Sequence, residues 1–257
     1  MKVVILAGGY GSRLSEETEK KPKPMVEIGG MPIIWHIMKI YFSYGFNDFI
    51  ICAGYNYHII KNYFQKYSLN ESNITSTITN KNKKKNEKEI DSWKIKIVNT
   101  GLDTMTGGRL KRVYDYIKGE DLFSFTYGDG LGNINIKNLV NFHKKHGKKA
   151  TVTATHPKPR FGAIKLGHNN QVKYFEEKPL DENSWINGGF FILHPDVIKY
   201  IKDDQTSWEK EPLNNLTKDG ELFAYKHDGF WMPMDTLRDK KELNNIWNKN
   251  IAPWKIW

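Results

Sequence analysis

The chain has 257 residues, 39% hydrophobic and 26% charged, the balance of a globular protein with enough length for one substantial core. Its longest apolar stretches, such as Val3–Ala7, fall far short of the ~20 residues a membrane span needs, and the glycines after Ala7 interrupt any signal-peptide-like apolar region. A net charge of +10 would suit nucleic acid, but much of the excess crowds into Lys81, Lys83, Lys84, Lys85 and Lys88, a solvated run with no helix-turn-helix, zinc-finger or aromatic RNA-binding signature beside it. Neither a membrane nor nucleic acid is therefore expected as a partner. The single cysteine, Cys52, forms no internal disulfide, which points to a reducing, cytoplasmic setting. Its place in the apolar run Phe49–Ala53 marks it as a buried, inert thiol rather than a nucleophile.

In chain order, Lys2–Leu6 is a β-branched run feeding Gly8-Gly9, the pattern of a buried strand entering a loop. Pro32–Tyr44 carries Ile33, Ile34, Ile37, Ile40 and Tyr41 at helical spacing, with Pro32 suited to a first turn. Phe49–Ala53 reads as the next strand and Tyr57–Tyr67 as an amphipathic helix. The polar stretch Ser68–Asp91 contains the expected insertion Asn70–Glu89. A strand at Trp93–Val98, a helix at Gly108–Ile117 and a strand at Leu122–Tyr127 follow. Strands separated by helices of this length predict a largely parallel α/β sheet covered on both faces. Further on, Ala150–Thr155, Ala163–Leu166, Val172–Phe175 and Gly189–Leu193 read as strands. Helical patterns then occupy Pro195–Ile201, Glu211–Lys218 and Thr236–Trp247. With neither an internal repeat nor a linker, residues 1–257 read as one domain.

The chemistry concentrates in a few segments. Leu6-Ala7-Gly8-Gly9-Tyr10-Gly11-Ser12-Arg13-Leu14 leaves the first strand directly. Its glycines let backbone N–H groups surround an anion, and Arg13 adds a fork of donors for phosphate oxygens. It is not a dinucleotide fingerprint, because Leu14 stands where a third small residue is required, nor a P-loop, because the Gly-Lys-[Ser/Thr] ending is missing. On glycine content alone, a plain strand-to-helix turn is an equal reading. Lys21-Pro22-Lys23-Pro24-Met25 follows, with prolines stiffening the backbone that carries Lys23.

This two-part pattern resembles the signature of the nucleotidyltransferases that make activated sugars, a family with a Rossmann-like fold: a mostly parallel mixed sheet flanked by helices, with a sugar-binding second half. The resemblance extends over essentially the whole chain except the lysine-rich stretch 76–89. It implies that residues 1–130 mainly bind nucleotide and 131–257 mainly bind sugar phosphate. Leu6, Ala7, Gly8, Gly9, Tyr10, Gly11, Ser12, Arg13 and Lys23 match the loop that wraps the nucleotide and neutralises its phosphates. Thr104, Arg109 (within Thr106-Gly107-Gly108-Arg109-Leu110) and Gly128 match nucleotide-contacting positions. The resemblance also implies a Mg2+ ion held by Asp129, in Tyr127-Gly128-Asp129-Gly130, and by Asp235, in Met234-Asp235-Thr236. Taken alone, Asp129 reads equally as a turn aspartate and Asp235 as a helix N-cap. Gly162, Glu177, Lys178, Asn187 and Gly188 match sugar-phosphate-binding positions.

Met105–Arg112, Ile186–Phe191 and Trp231–Arg238 point to the cytidylyl branch, with CTP and glucose 1-phosphate as substrates and a homo-oligomer as the expected assembly. In-line attack by a phosphate monoester needs no general base, since its second pKa is near ~6. Arg13, Lys23, Asp129 and Asp235 are then the expected catalytic set. A UTP- or dTTP-using relative and a catalytically silent sugar-nucleotide-binding domain are the alternatives.

Overall fold

A computed structural model describes residues 1–70, 93–156, 163–166, 172–176 and 184–257. The lysine-rich stretch 76–89 and the predicted sugar-phosphate residues Gly162, Glu177 and Lys178 lie outside the described residues.

The strands are β1 (Val3–Ala7), β2 (Glu27–Ile28), β3 (Met31–Pro32), β4 (Asp48–Ala53), β5 (Lys94–Asn99), β6 (Phe123–Tyr127), β7 (Gly130–Gly132), β8 (Ala150–Thr155), β9 (Ala163–Leu166), β10 (Val172–Glu176), β11 (Ile186–Asn187), β12 (Phe191–Leu193), β13 (Leu222–His227) and β14 (Trp231–Pro233). The helices are α1 (Ser15–Thr18), α2 (Ile33–Ser43), α3 (Tyr57–Asn70), α4 (Thr106–Arg112), α5 (Tyr114–Ile117), α6 (Ile136–His146), α7 (Glu211–Lys218) and α8 (Leu237–Asn248).

Eight strands form one sheet that runs through both halves of the sequence. β6, β1, β4 and β5 are parallel neighbours, with Val3 opposite Phe49 and Ser124, and Asp48 opposite Lys94. β12 enters antiparallel between β6 and β8, while β13 pairs parallel along the other edge of β8. β1 shows why this sheet is covered twice. Val3, Ile5 and Ala7 join the core beneath α2 and α3, whereas Val4 and Leu6 pack on the opposite face with Leu110, Val113, Ile117 and Trp208. The chain runs from β1 outward to β4 and β5, then returns to β6 on the other side of β1. That reversal opens a crevice at the carboxyl ends of β1 and β6, where α/β sheets place their ligands.

Several regions depart from expectation. The predicted helix Gly108–Ile117 is two short helices, because Val113 leaves helical geometry at φ −103 and ψ 8. Elements that the sequence reading did not anticipate are also present, among them α6 and the edge strand β13. Thr236, not Asp235, is the N-cap of α8: its hydroxyl accepts from Asp239 N–H while the Asp239 carboxylate accepts from Thr236 N–H, a capping box.

The C-terminal tryptophans close the core. Trp254 is fully buried, and Trp35, Trp247, Trp254 and Trp257 all pack around the buried His36. His36 Nε2 donates to Ile28 O at 2.8 Å, so Nδ1 accepts from Trp254 Nε1–H at 3.4 Å, and the ring is neutral with both nitrogens satisfied. Burial pushes its pKa down to about 4. Cys52 is buried as expected; burial pushes its thiol up to about 12, where it is inert at neutral pH.

Candidate active site

A cavity of about 710 Å³ occupies the crevice. The glycine loop forms one wall. Gly11 adopts φ +70, a conformation that favours glycine, and Thr18 Oγ1 donates to Gly11 O at 3.0 Å and Leu14 O at 2.9 Å, closing the turn. Leu6 to Arg13 all line the cavity, as do Lys23, Thr104, Arg109, Gly128, Asp129, Asn187 and Asp235. The structure thus brings the described site residues into one space; Gly188 sits at the edge, its carbonyl accepting from Trp231 Nε1 at 2.8 Å.

Arg109, expected as a nucleotide-contacting residue, lines the cavity and also supports its walls. Its guanidinium is buried and donates to Thr100 Oγ1 (2.8 Å), Gly101 O (2.7 Å) and Leu102 O (3.0 Å). A Cβ on Gly8 would run into this guanidinium, so the glycine lets the loop rest directly on it. Arg109 therefore fixes the shape of two cavity-lining loops from beneath. Tyr10 crosses between the same loops, with its hydroxyl donating to Asp103 Oδ1 at 3.0 Å and its ring 5.3 Å from that of Tyr55.

The charged centre comes from strand pairing. β7 and β14 are antiparallel with Gly130 opposite Pro233, so Asp129, just before β7, meets Asp235, just after β14; Met234 N–H donates to Asp129 O at 2.8 Å. Lys23 sits between the two carboxylates on a 3₁₀ turn, Lys23–Met25, entered through Pro22 and stiffened by Pro24. Its Nζ is 2.6 Å from Asp129 Oδ2 and 2.6 Å from Asp235 Oδ1. Arg13 Nη1 donates to Asp235 Oδ2 at 2.9 Å from a side chain that is 72% exposed. Burial alone would lower the Lys23 ammonium, but the two carboxylates outweigh it and its pKa is raised. Two hard carboxylate oxygens converging on one cation form a donor set that also suits a divalent metal ion. Among the described residues no larger cluster of metal-ligating side chains is present.

Two side chains that sequence reasoning missed belong to this region, Tyr127 in the wall and Glu209 behind it. Tyr127, the last residue of β6, lines the cavity; its hydroxyl donates to Glu209 Oε1 at 2.8 Å and accepts from Asn187 Nδ2 at 3.1 Å. Burial, followed by the nearby Glu209 carboxylate, raises the Tyr127 pKa, so the phenol stays protonated. Tyr127 adjoins the Gly128-Asp129 motif and was visible there, whereas nothing local distinguishes Glu209.

Comparison with known proteins agrees with this geometry. Proteins named glucose-1-phosphate cytidylyltransferase from Salmonella typhimurium and Salmonella typhi are each 54% identical to the chain over 257 residues, covering all of both partners. The crystal structure of HddC from Yersinia pseudotuberculosis complexed with GMP-PN superposes with a TM-score of 0.69 over 96% of this chain and 99% of that one; at 21% identity this is a likeness of fold. The nucleotidyl transferase family model matches residues 2–240, which takes in the glycine loop, Lys23, both aspartates and the paired strands that join them, and the chain belongs to that family.

Proposed function

We propose that this chain transfers a cytidylyl group from CTP to α-D-glucose 1-phosphate, giving CDP-glucose and pyrophosphate. The observation that carries this reading is full-length identity of 54% to proteins named for that activity, joined to a cavity lined by the glycine loop and the Lys23–Asp129–Asp235 centre.

Both substrates are polyanions, so the task is alignment and relief of repulsion rather than proton transfer. The glycine loop offers backbone N–H groups to the triphosphate, and Arg13, exposed at the mouth, adds a mobile fork of donors. A sugar-phosphate oxygen attacks the α-phosphorus; the bond from that phosphorus to the bridging oxygen breaks, and pyrophosphate leaves with the electron pair. Lys23 and Arg13 oppose the negative charge that grows on the transferred group and on pyrophosphate. Asp129 and Asp235 would hold Mg2+, which when bound neutralises phosphate charge. For Lys23 to reach phosphate, its ammonium has to leave the carboxylates it now bridges. Asn187 and Gly188, with Gly162, Glu177 and Lys178, are the groups assigned to the sugar phosphate. A cytoplasmic setting, where nucleoside triphosphates are made, suits this chemistry, and a homo-oligomer is the assembly the family resemblance supports.

The test is pyrophosphate release with magnesium and glucose 1-phosphate, with CTP, UTP, dTTP, ATP and GTP compared in parallel. Release with CTP well above the others supports the full reading. Release with another nucleotide keeps the chemistry and replaces the base.

A further inference from the structure

A chain of hydrogen bonds leads out of the cavity to a carboxylate that touches none of the groups assigned above to nucleotide, metal or sugar. Asn187 Oδ1 accepts from Gly189 N–H at 2.8 Å, which orients the amide and leaves Nδ2 as a donor toward the Tyr127 hydroxyl at 3.1 Å. The Tyr127 proton goes to Glu209 Oε1 at 2.8 Å. The second oxygen, Glu209 Oε2, accepts from Thr106 Oγ1 at 2.6 Å, and Thr106 Oγ1 in turn accepts from Trp208 N–H at 2.9 Å. Every proton in the chain therefore has one direction. A carboxylate only accepts, so the phenol has to donate to it; the phenol oxygen then has lone pairs free for the amide, and among the described residues the other Nδ2 hydrogen of Asn187 is left for a ligand. The backbone beneath Asn187 is special as well. β11 and β12 both pair with β8 but are separated by Gly188, Gly189 at φ +72 and Phe190 at φ +48, a stretch tied to β8 through Thr153, which accepts from Gly188 N–H at 2.9 Å and donates to Gly189 O at 3.3 Å.

We propose that Glu209 is a positioning residue for the sugar half of the site: through Tyr127 it fixes the direction in which the Asn187 amide offers its donor to a sugar hydroxyl. This rests on the function proposed above, in which Asn187 meets the sugar. Glu209 contributes through orientation, so its loss weakens sugar-phosphate recognition while leaving the nucleotide loop and the Lys23 centre as they are.

The experiment compares steady-state kinetics of Glu209→Ala, Glu209→Gln and Tyr127→Phe with the wild-type enzyme, varying CTP and glucose 1-phosphate separately, with thermal melting to confirm folding. Glu209→Ala is expected to raise the KM for glucose 1-phosphate about tenfold, the worth of one such hydrogen bond, with the KM for CTP within about twofold of wild type. Glu209→Gln keeps an acceptor for the phenol and is expected to recover most of that loss. Tyr127→Phe should resemble Glu209→Ala, and the double variant should be no worse than either, because both cut the same chain. Equal rises in both KM values, an unchanged KM for glucose 1-phosphate in Glu209→Ala, or strictly additive losses would each overturn the proposal. Absence of wild-type turnover with CTP and glucose 1-phosphate would instead count against the substrate assignment. The variants are then compared with the nucleotide and sugar phosphate the wild type does accept, and the same KM pattern decides the role of Glu209.

Discussion

Lys23→Met removes the ammonium between Asp129 and Asp235 while nearly conserving side-chain volume, so the change is electrostatic rather than steric. Asp129 Oδ2 and Asp235 Oδ1 each lie 2.6 Å from Nζ and are therefore at most about 5.2 Å apart, where two like charges repel by about 3 kcal/mol at an effective dielectric of about 20. Arg13 stays beside Asp235, but its side chain is 72% exposed and offsets only part of this, leaving a net loss of about 2 kcal/mol. In a chain of this size that corresponds to a fall in Tm of about 4–8 °C. The sign with pH follows from the raised pKa of Lys23: its stabilisation is fully present below the ordinary lysine range and is lost only as alkaline pH passes the raised value, so neutral buffer is the right condition. The assay is thermal unfolding of both proteins in EDTA and then across a magnesium series without nucleotide. In the wild-type protein magnesium has to compete with the ammonium, whereas in the variant it meets two carboxylates that have lost the cation between them. Lys23→Met should therefore melt lower in EDTA and gain more from magnesium, following the linkage RT ln(1 + [L]/Kd). Equal melting in EDTA together with parallel magnesium responses would refute the reasoning.

Asp129→Asn keeps the shape of the turn but removes a charge that faces Lys23, and turnover should fall on the order of 10²–10³-fold with a folded protein by circular dichroism; near-normal activity would remove Asp129 from the reaction. His36 supplies a pH prediction. Its folded pKa of about 4 lies below the value near ~6.5 expected when unfolded, so between these values the unfolded chain binds a proton that the folded chain refuses. Stability should drop by up to about 3 kcal/mol as pH falls through that window, with His143, also lowered to about 4 by burial, acting in the same direction. Urea midpoints at pH 7 and pH 4.5 check this, and equal midpoints would contradict it.

What was legible in the sequence is what is local. The glycine loop, the Lys-Pro-Lys-Pro segment and the aspartate after a strand announce themselves within a few residues, and β1 and β4 are near-continuous apolar runs of the kind a doubly covered sheet requires. Edge strand β13 escaped because the apolar run Leu222-Phe223-Ala224-Tyr225 is too short for periodicity to tell a strand from a helix segment. α6 was readable and was missed: Asn135 caps it through Asn138 N–H, Gly147 ends it at φ +63, and Ile136, Leu139 and His143 form its buried stripe. Arg109 was found, but its support of the loops was not, because its acceptors on Thr100, Gly101 and Leu102 take their positions only in the folded loop. Glu209 carried no local signal at all. It matters through Tyr127, which lies 82 residues away in sequence.

The Lys23 contacts span 106 residues to Asp129 and 212 to Asp235, and Arg13 reaches 222 residues to the same carboxylate. Synthesis on the ribosome delivers these groups in that order. The glycine loop and its basic side chains emerge first, while the strand that supplies Asp235 comes near the end of translation. A half-made polypeptide can thus expose a phosphate-attracting loop before it has the carboxylates that complete the charged centre. Reaction competence should arrive late and in one step, when β14 docks on β7.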